Sequence, residues 1–218
     1  HYSDSVILNG DETNAATGNI NLVDADPPDT KFYLAFDGIR HAALVDNPAN
    51  AFSVGTVDLA TLRRIKGLMI DASRLVDWGH PTDPEDLVYV CDPETADRIA
   101  TIDPVLQFRI QTTTPALLNG EVARIIGHPV ISSIAVPKAD ATGKVSATPA
   151  NNTTGQIVAF NRRGFVAGWR RRVKLETERL PATDQTRLVY SLRLGFGRFT
   201  PTGAPNGIEA AAVGYNVT

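Results

Sequence analysis

The feature that most constrains the fold is an alternation of apolar and polar residues near the end of the chain. Residues 172–178 alternate between charged or polar and apolar side chains, and in 188–196 every second residue is apolar, from Leu188 to Phe196. Successive side chains of a β-strand point to opposite faces, so a period of two indicates a strand. The pattern predicts two long half-buried strands, each with one apolar face. The segment 180–184, Leu-Pro-Ala-Thr-Asp, predicts the turn that joins them as a hairpin.

Upstream of the hairpin, the sequence predicts a helix, followed by a strand and a second, short helix. From Asp58 to residue 73, apolar residues recur at spacings of three and four behind a capping aspartate, which predicts a helix. Two prolines in 79–84 predict a loop. The apolar run 87–91 predicts a buried strand, and Asp92-Pro93 predicts the start of a short helix to Ala100.

Further strands are predicted at 121–126, 130–136, 156–160, 164–169 and 208–213, and the Ala/Thr/Gly/Asn composition of 138–155 predicts a mobile loop. Residues 1–30 are polar and rich in turn formers, with possible strands only at 6–8 and 20–23, which is typical of a connecting arm. Because the chain begins at His1 and its only methionine is Met69, we expect a fragment or a processed product.

Charge and composition exclude several classes of protein. The net charge of −3 provides no overall positive field for nucleic acid. A single cysteine excludes an internal disulfide framework. No apolar stretch in the sequence approaches the eighteen residues that predict a membrane-spanning helix. We therefore expect a globular protein that neither spans a membrane nor binds nucleic acid through its net charge.

Signals for catalysis or metal binding are weak. The sequence has no nucleophile-elbow, phosphate-loop or His-Glu-x-x-His motif. Cys91 can be a nucleophile only with a distant histidine, and its place at the end of an apolar strand favours a structural role. The four histidines (His1, His41, His80, His128) share no metal-ligand spacing, and the acidic group Asp83, Glu85 and Asp86 is typical of a solvated loop. The sequence predicts no catalytic residue, no metal site and no cofactor.

A cluster of charged residues is the other candidate site. Sixteen of the 21 basic residues are arginine, which forms planar forked hydrogen bonds and suits interfaces. Nearby glutamates and the scarcity of interleaved aromatics favour a solvated strand face or Arg–Glu pairing between subunits over nucleic-acid binding. The predicted subunit-interface residues are Arg162, Arg163, Arg170, Arg171, Arg172, Lys174, Glu176 and Glu178.

The order of these elements resembles the C-terminal two-thirds of tailed-phage major capsid proteins, whose shell fold is shared with encapsulins. Three stretches carry the resemblance: the helix at 58–73 with the strand and Asp-Pro helix at 87–100; the segment 120–133, which is similar to the family's Gly-x-Pro-Val-x-x-Ser turn between two strands; and 156–196, which ends in the long hairpin. Residues 207–212 are similar to the family's terminal strand.

The resemblance implies an α+β fold of the Hong Kong 97 type without its N-terminal arm, extended loop and spine helix. It implies that residues 1–35 enter the peripheral domain, 36–160 form the axial domain, 161–198 form the peripheral-domain hairpin and 199–218 return to the axial domain as its C-terminal strand.

The function that the resemblance implies is that of a structural, non-enzymatic subunit. Copies would form hexamers and pentamers of an icosahedral phage capsid around DNA, located in the virion and, during assembly, in the host cytoplasm. Its partners would be other copies of itself, together with portal and scaffolding or decoration proteins. It would contact the packaged DNA non-specifically at most, and it would not bind a membrane. The alternatives are an encapsulin-like compartment shell and, from another class, a small α/β enzyme using Cys91 or the Asp83/Glu85/Asp86 loop.

Overall fold

The computed structural model describes residues 2–13, 19–21, 31–69, 86–102, 121–125, 127–199 and 210–218. These residues form one mixed six-stranded sheet with helices on both faces and a separate two-stranded sheet. The architecture is mixed α+β, which agrees with the predicted class. Among the described residues, no helix is long and apolar enough to cross a membrane.

The six-stranded sheet has the order β1-β8-β5-β2-β4-β3. Strand β1 runs parallel to β8 and β2 runs parallel to β4, while the other neighbours are antiparallel. Strands β6 and β7 form the separate hairpin. The strands are β1 Ala51–Gly55, β2 Leu87–Cys91, β3 Glu121–Ile125, β4 His128–Ser132, β5 Gly155–Asn161, β6 Phe165–Leu180, β7 Gln185–Arg198 and β8 Ala211–Val217.

Within the described residues, four α-helices pack against this sheet: α1 Tyr2–Asn9, α2 Ile39–His41, which continues into a π-helical turn at Ala42–Asp46, α3 Leu59–Gly67 and α4 Pro93–Ala100. The two predicted capping residues do cap their helices. Asp58 accepts a hydrogen bond from the Thr61 amide at 2.6 Å, and Asp92 accepts one from the Thr95 amide at 3.1 Å. Helix α3 is shorter than the predicted 58–73, and residues 70–73 and the predicted loop 79–84 lie outside the described residues.

The apolar core has two parts, one on each face of the sheet. Leu87, Tyr89 and Cys91 of β2 pack with α3 and α4, whereas Val88 and Val90 pack with α1 and α2. Every residue of β2 is buried, because this central strand is covered on both sides. This explains why its sequence is a continuous apolar run and not an alternating one.

A buried polar network lies on the α1 side of the sheet, around Arg40, which is 0% exposed. Its guanidinium donates to Asn9 Oδ1 at 2.8 Å, Gln156 Oε1 at 3.1 Å and the Gly143 carbonyl at 2.8 Å. These three acceptors are neutral, and burial lowers the pKa of Arg40 to about 10. Arg40 thereby ties α1 and β5 to the segment 138–155.

The structure of residues 138–155 differs from the prediction. Residues 138–155 were expected to be mobile, but the Ala139 and Thr154 backbones bond to each other at 3.0 and 3.1 Å, and the Asp140 amide bonds to the Lys144 carbonyl at 2.9 Å. Gly143 has a φ of +82° and lies so close to Tyr215 that a Cβ would stand 2.9 Å from that side chain. Composition alone did not reveal this packing.

The bounds of several other helices and strands also differ from those predicted from the sequence. The strand predicted at 6–8 is wrong, since these residues lie in helix α1, which buries Leu8 against the sheet. The strand predicted at 130–136 is His128–Ser132, and the last strand runs from Ala211 to Val217. Of the possible strand at 20–23, Asn21 makes only an isolated bridge to Val145, and 22–23 lie outside the described residues.

Candidate subunit interface

The hairpin of β6 and β7 has two chemically different faces. Directly opposed residues of an antiparallel pair share a face, and the register pairs Leu175 with Tyr190 and Trp169 with Leu194. The intervening positions pair Glu176 with Val189 on the other face. Two bulges lie between Trp169 and Lys174, so β6 gains residues there without losing the pairing. We call the side that bears Leu175 and Tyr190 the apolar face and the opposite side the polar face.

The apolar face is exposed along the outer part of the hairpin. Six large apolar residues on it or at its bulge are exposed: Trp169 55%, Val173 66%, Leu175 52%, Leu188 54%, Tyr190 67% and Leu192 42%. The alternation predicted half-buried strands, and that prediction is wrong for the chain by itself, since nothing in the described residues covers this side. The strands predicted separately at 164–169 and 172–178 are one strand, β6.

The base of the same face is anchored on the body of the protein. The rings of Phe165 and Phe196 stack with centroids 5.6 Å apart, and Phe196 also packs 5.4 Å from Phe36. Arg198 Nη1 lies 2.6 Å from Asp46 Oδ2, which adds an ion pair between β7 and the turn after α2. The exposed apolar face is therefore a continuation of the sheet's own core.

The predicted interface residues on the hairpin lie mainly on the polar face, where several are paired within the chain. Lys174 bonds to Glu176, Glu178 Oε2 lies 3.8 Å from Arg187 Nη1, and Arg171 donates to Ser191 Oγ at 2.8 Å. The Lys174 ammonium lowers the pKa of Glu176 by hydrogen bonding to it. Exposed pairs of this kind stabilise little.

Two of the hairpin arginines that were predicted to lie at a subunit interface form no ion pair among the described residues. In the described part of the chain, Arg170 and Arg172, which lie at the bulges, have no carboxylate within ion-pair distance. The cross-subunit role of the eight predicted residues stays a prediction.

Arg162 and Arg163 lie apart from the hairpin's long faces, in the turn Arg162–Gly164 between β5 and β6. Arg163 Nε lies 2.7 Å from Asp86 Oδ2, and the Asp86 side chain is only 12% exposed. This pair links the start of the hairpin to the residue before β2. Asp86 is thus a structural partner of Arg163, and Asp83 and Glu85 lie outside the described residues.

The environment of Cys91 opposes a nucleophilic role. Its side chain is buried in the core, with Sγ 3.8 Å from the Ile131 carbonyl. Burial, with a smaller contribution from Asp92, raises the pKa of the thiol to about 12. A nucleophilic cysteine needs a thiolate and access to substrate, and Cys91 has neither at neutral pH.

A second cluster was missed by the sequence analysis. Asp37 and His41 lie four residues apart, just before and at the end of α2, while Asp11 follows α1, and the three residues bring one ligand atom each to within 4.8 Å of one another. The cluster lies beside a cleft lined by Glu12, Asp46 and Arg198, at the base of the hairpin. The four-residue spacing of Asp37 and His41 is the one signal for this cluster in the sequence, whereas Asp11, 26 residues before Asp37, is brought to it only by the fold.

Comparisons with known proteins give little further guidance. No protein-family model matches the chain, and no curated protein matches it. Among solved structures, a similar one is the cyanophage Pam1 capsid asymmetric unit, with a TM-score of 0.47 and 15% sequence identity. The match covers 83% of this chain and 58% of that chain, so this chain spans less than two-thirds of the capsid structure's length.

Proposed function

We propose that this chain is a structural subunit that assembles with copies of itself into a closed shell of the type that tailed phages build around DNA. The observation that supports the proposal is the exposed apolar face of the hairpin, which continues from the core into solvent. Six residues of this size and exposure present on the order of 600 Å² of surface, comparable to the largest apolar patch of a typical monomer. Such a patch generally marks an interaction site.

A second copy is the occupant that best fits the charges around this face. Arg170 and Arg172 at the bulges lack a carboxylate partner among the described residues, while the cleft at the hairpin base carries Glu12 and Asp37. The projecting hairpin of one copy can lie along the acidic base of the next. A contact between two different patches of one subunit builds rings when the rotation between copies closes, and open filaments when it does not.

The area of the face suits an assembly of many weak contacts. A standard stable interface buries about 800 Å² per partner, somewhat more than the apolar face offers. One such contact is therefore weak, and a closed ring, in which each copy makes two, is favoured over an isolated dimer. A net charge of only −3 limits repulsion when many copies pack together.

The finer parts of the proposal follow from the sequence resemblance. They are a Hong Kong 97-type arrangement, rings of five and six copies, a non-enzymatic role, and portal, scaffolding or decoration proteins as partners. DNA would be contacted non-specifically at most. The subunit would reside in the virion, and in the host cytoplasm during assembly.

Sedimentation velocity over a range of protein concentrations, followed by negative-stain electron microscopy, tests the proposal. We expect concentration-dependent rings or shells, weakened by high salt because of the arginine-to-carboxylate contacts. A monodisperse monomer at every concentration and salt condition would refute it. Particles that enclose a protein cargo in place of nucleic acid would support self-assembly but replace the phage capsid by an encapsulin-like compartment.

A further inference from the structure

His41 lies in a polar pocket surrounded by three carboxylates. Asp11 comes from the segment after α1, Asp37 precedes α2, and Asp46 ends the π-helical turn. The side chains of His41 and Asp11 are 6% and 0% exposed, and that of Asp37 is 37% exposed. Buried side chains of these types are either ion-paired or bound to a cation.

The two nitrogens of His41 have different surroundings. Nδ1 lies 3.2 Å from Asp46 Oδ2, within hydrogen-bonding distance. Nε2 lies 3.6 Å from Asp11 Oδ1 and 3.7 Å from Asp37 Oδ1, beyond hydrogen-bonding distance. Across the described residues, no atom forms a hydrogen bond with Nε2, although the side chain is more than nine-tenths buried. This nitrogen therefore lies within ion-pair distance of two carboxylate oxygens and hydrogen-bonds to neither.

The two separations from His41 Nε2 match the spacing of ligands around a metal ion better than that of a hydrogen-bonded pair, and the two carboxylate oxygens lie within 4.8 Å of each other. Zinc ligands of this kind stand about 2.1 Å from the ion, so neighbouring ligands of a tetrahedron are about 3.4 Å apart. The nitrogen-to-oxygen separations of 3.6 and 3.7 Å exceed this by a few tenths of an ångström.

The ligand atoms are also held in place by bonds around them. Asp11 Oδ1 accepts from the Thr13 amide at 2.9 Å, and its Oδ2 accepts from the Ile20 amide at 2.8 Å. Asp37 Oδ1 accepts from the Glu12 amide at 3.0 Å. Each oxygen has a second lone pair for an ion.

The bond from His41 Nδ1 to Asp46 completes the arrangement. When Nδ1 carries the proton and donates it to Asp46 Oδ2, the lone pair of a neutral imidazole is on Nε2. A carboxylate that orients a histidine in this way is the usual outer partner of a metal-binding imidazole.

We propose that Asp11, Asp37 and His41 bind a divalent transition-metal ion, with Zn²⁺ as the preferred ion. An imidazole with two carboxylates suits zinc, whereas Mg²⁺ and Ca²⁺ favour oxygen ligands alone. Asp37 also lines the cleft formed with Glu12, Gly38 and Ala42, and this cleft offers an ion a route from solvent. The site shares Asp37 and the cleft with the acidic base proposed above as a subunit contact, but Zn²⁺ binding by the dissociated chain does not depend on assembly.

Occupancy of the site would stabilise the base of the hairpin. Asp46 Oδ2 contacts both His41 Nδ1 and Arg198 Nη1, the latter at 2.6 Å. Metal binding at Nε2 makes the Nδ1 proton a stronger donor to Asp46. The ion thus fixes the carboxylate that anchors β7 to the body.

Isothermal titration of the full chain, after treatment with a chelator, tests the proposal with Zn²⁺ and, as a matched control, Mg²⁺. We expect one Zn²⁺ per chain and no comparable Mg²⁺ binding. The variants Asp37→Asn and His41→Gln should each weaken Zn²⁺ binding at least tenfold, whereas Asp184→Asn, at the exposed hairpin turn, should bind as the wild type does. Circular dichroism of each variant tests whether it is folded.

A spectroscopic measurement keeps the test decisive if a variant fails to fold. Co²⁺ in place of Zn²⁺ should give the visible absorption of a four-coordinate site in the wild type, and Zn²⁺ should displace it. Absence of Zn²⁺ binding in the wild type, or equal binding by Asp37→Asn and the wild type, would overturn the proposal, as would Mg²⁺ binding as tight as that of Zn²⁺.

Discussion

The two faces of the hairpin allow a matched pair of substitutions at neighbouring positions. Leu188 lies on the apolar face opposite Thr177, and Val189 lies on the polar face opposite Glu176. Their exposures are 54% and 40%. Replacing each by lysine makes the same chemical change on the same strand, one residue apart. If the apolar face is the interface, only Leu188→Lys should disrupt association.

The expected magnitude follows from the exposure of Leu188. Burying a whole leucine side chain stabilises by about 1.5–3 kcal/mol, and 54% of Leu188 remains to be covered. Leu188→Lys therefore removes about 1–1.5 kcal/mol per contact and adds the cost of desolvating an ammonium group. Since about 1.4 kcal/mol corresponds to a tenfold change in affinity, we expect at least a tenfold weaker association. Val189→Lys, placed beside Glu176, should change it by about threefold or less.

Sedimentation velocity across a concentration series measures both dissociation constants. Thermal unfolding of the dissociated chains is the control, and both variants should unfold like the wild type, because substitutions at exposed positions usually change stability by less than about 0.5 kcal/mol. The reasoning would be refuted if both variants weakened association equally, or if Leu188→Lys assembled as well as the wild type.

Three further predictions concern the body of the protein. Replacing Arg40 by methionine leaves three buried acceptors without their donor, so we expect the free energy of unfolding to fall by about 3 kcal/mol or more in a denaturant titration; an unchanged midpoint would contradict the importance of this network. Gly155→Ala places a Cβ 2.0 Å from Thr95 Oγ1, against the cap of α4, and should destabilise by about 1–3 kcal/mol, whereas Gly67→Ala, where a Cβ meets no atom within 4 Å, should not. Burial raises the pKa of the Cys91 thiol to about 12, so the neutral thiol dominates at pH 8. We therefore expect an aromatic disulfide reagent to label Cys91 only after the chain has unfolded. Fast labelling of the native chain would show that the thiol is accessible.

The sequence was most informative where the local pattern and the fold agree. Asp58 and Asp92 were predicted as caps and both accept the expected amide hydrogen bond. The alternation at 172–196 predicted the hairpin and its apolar face, because a period of two is a property of the strand itself. The alternation could not predict whether the apolar face is exposed in the single chain. A face that packs on a neighbouring copy and a face that packs on the chain's own core have the same pattern in the sequence.

Contacts between distant segments could not be predicted. Val6, Ile7 and Leu8 are helical because α1 packs Leu8 on the sheet, a tertiary effect that outweighs the strand preference of Val and Ile. Likewise, the four-residue spacing of Asp37 and His41 is visible in the sequence, but the approach of Asp11 depends on how α1 and α2 meet and could not be predicted.

The most direct measurement of the central claim is hydroxyl-radical footprinting of the dissociated and assembled protein, read by mass spectrometry at Trp169 and Tyr190. Both are more than half exposed in the single chain, and the account predicts strong protection of both on assembly. Tyr89, which is 0% exposed, should react slowly in both states and serves as the internal reference. Assembled particles in which Trp169 and Tyr190 stay as reactive as in the dissociated chain would contradict the account.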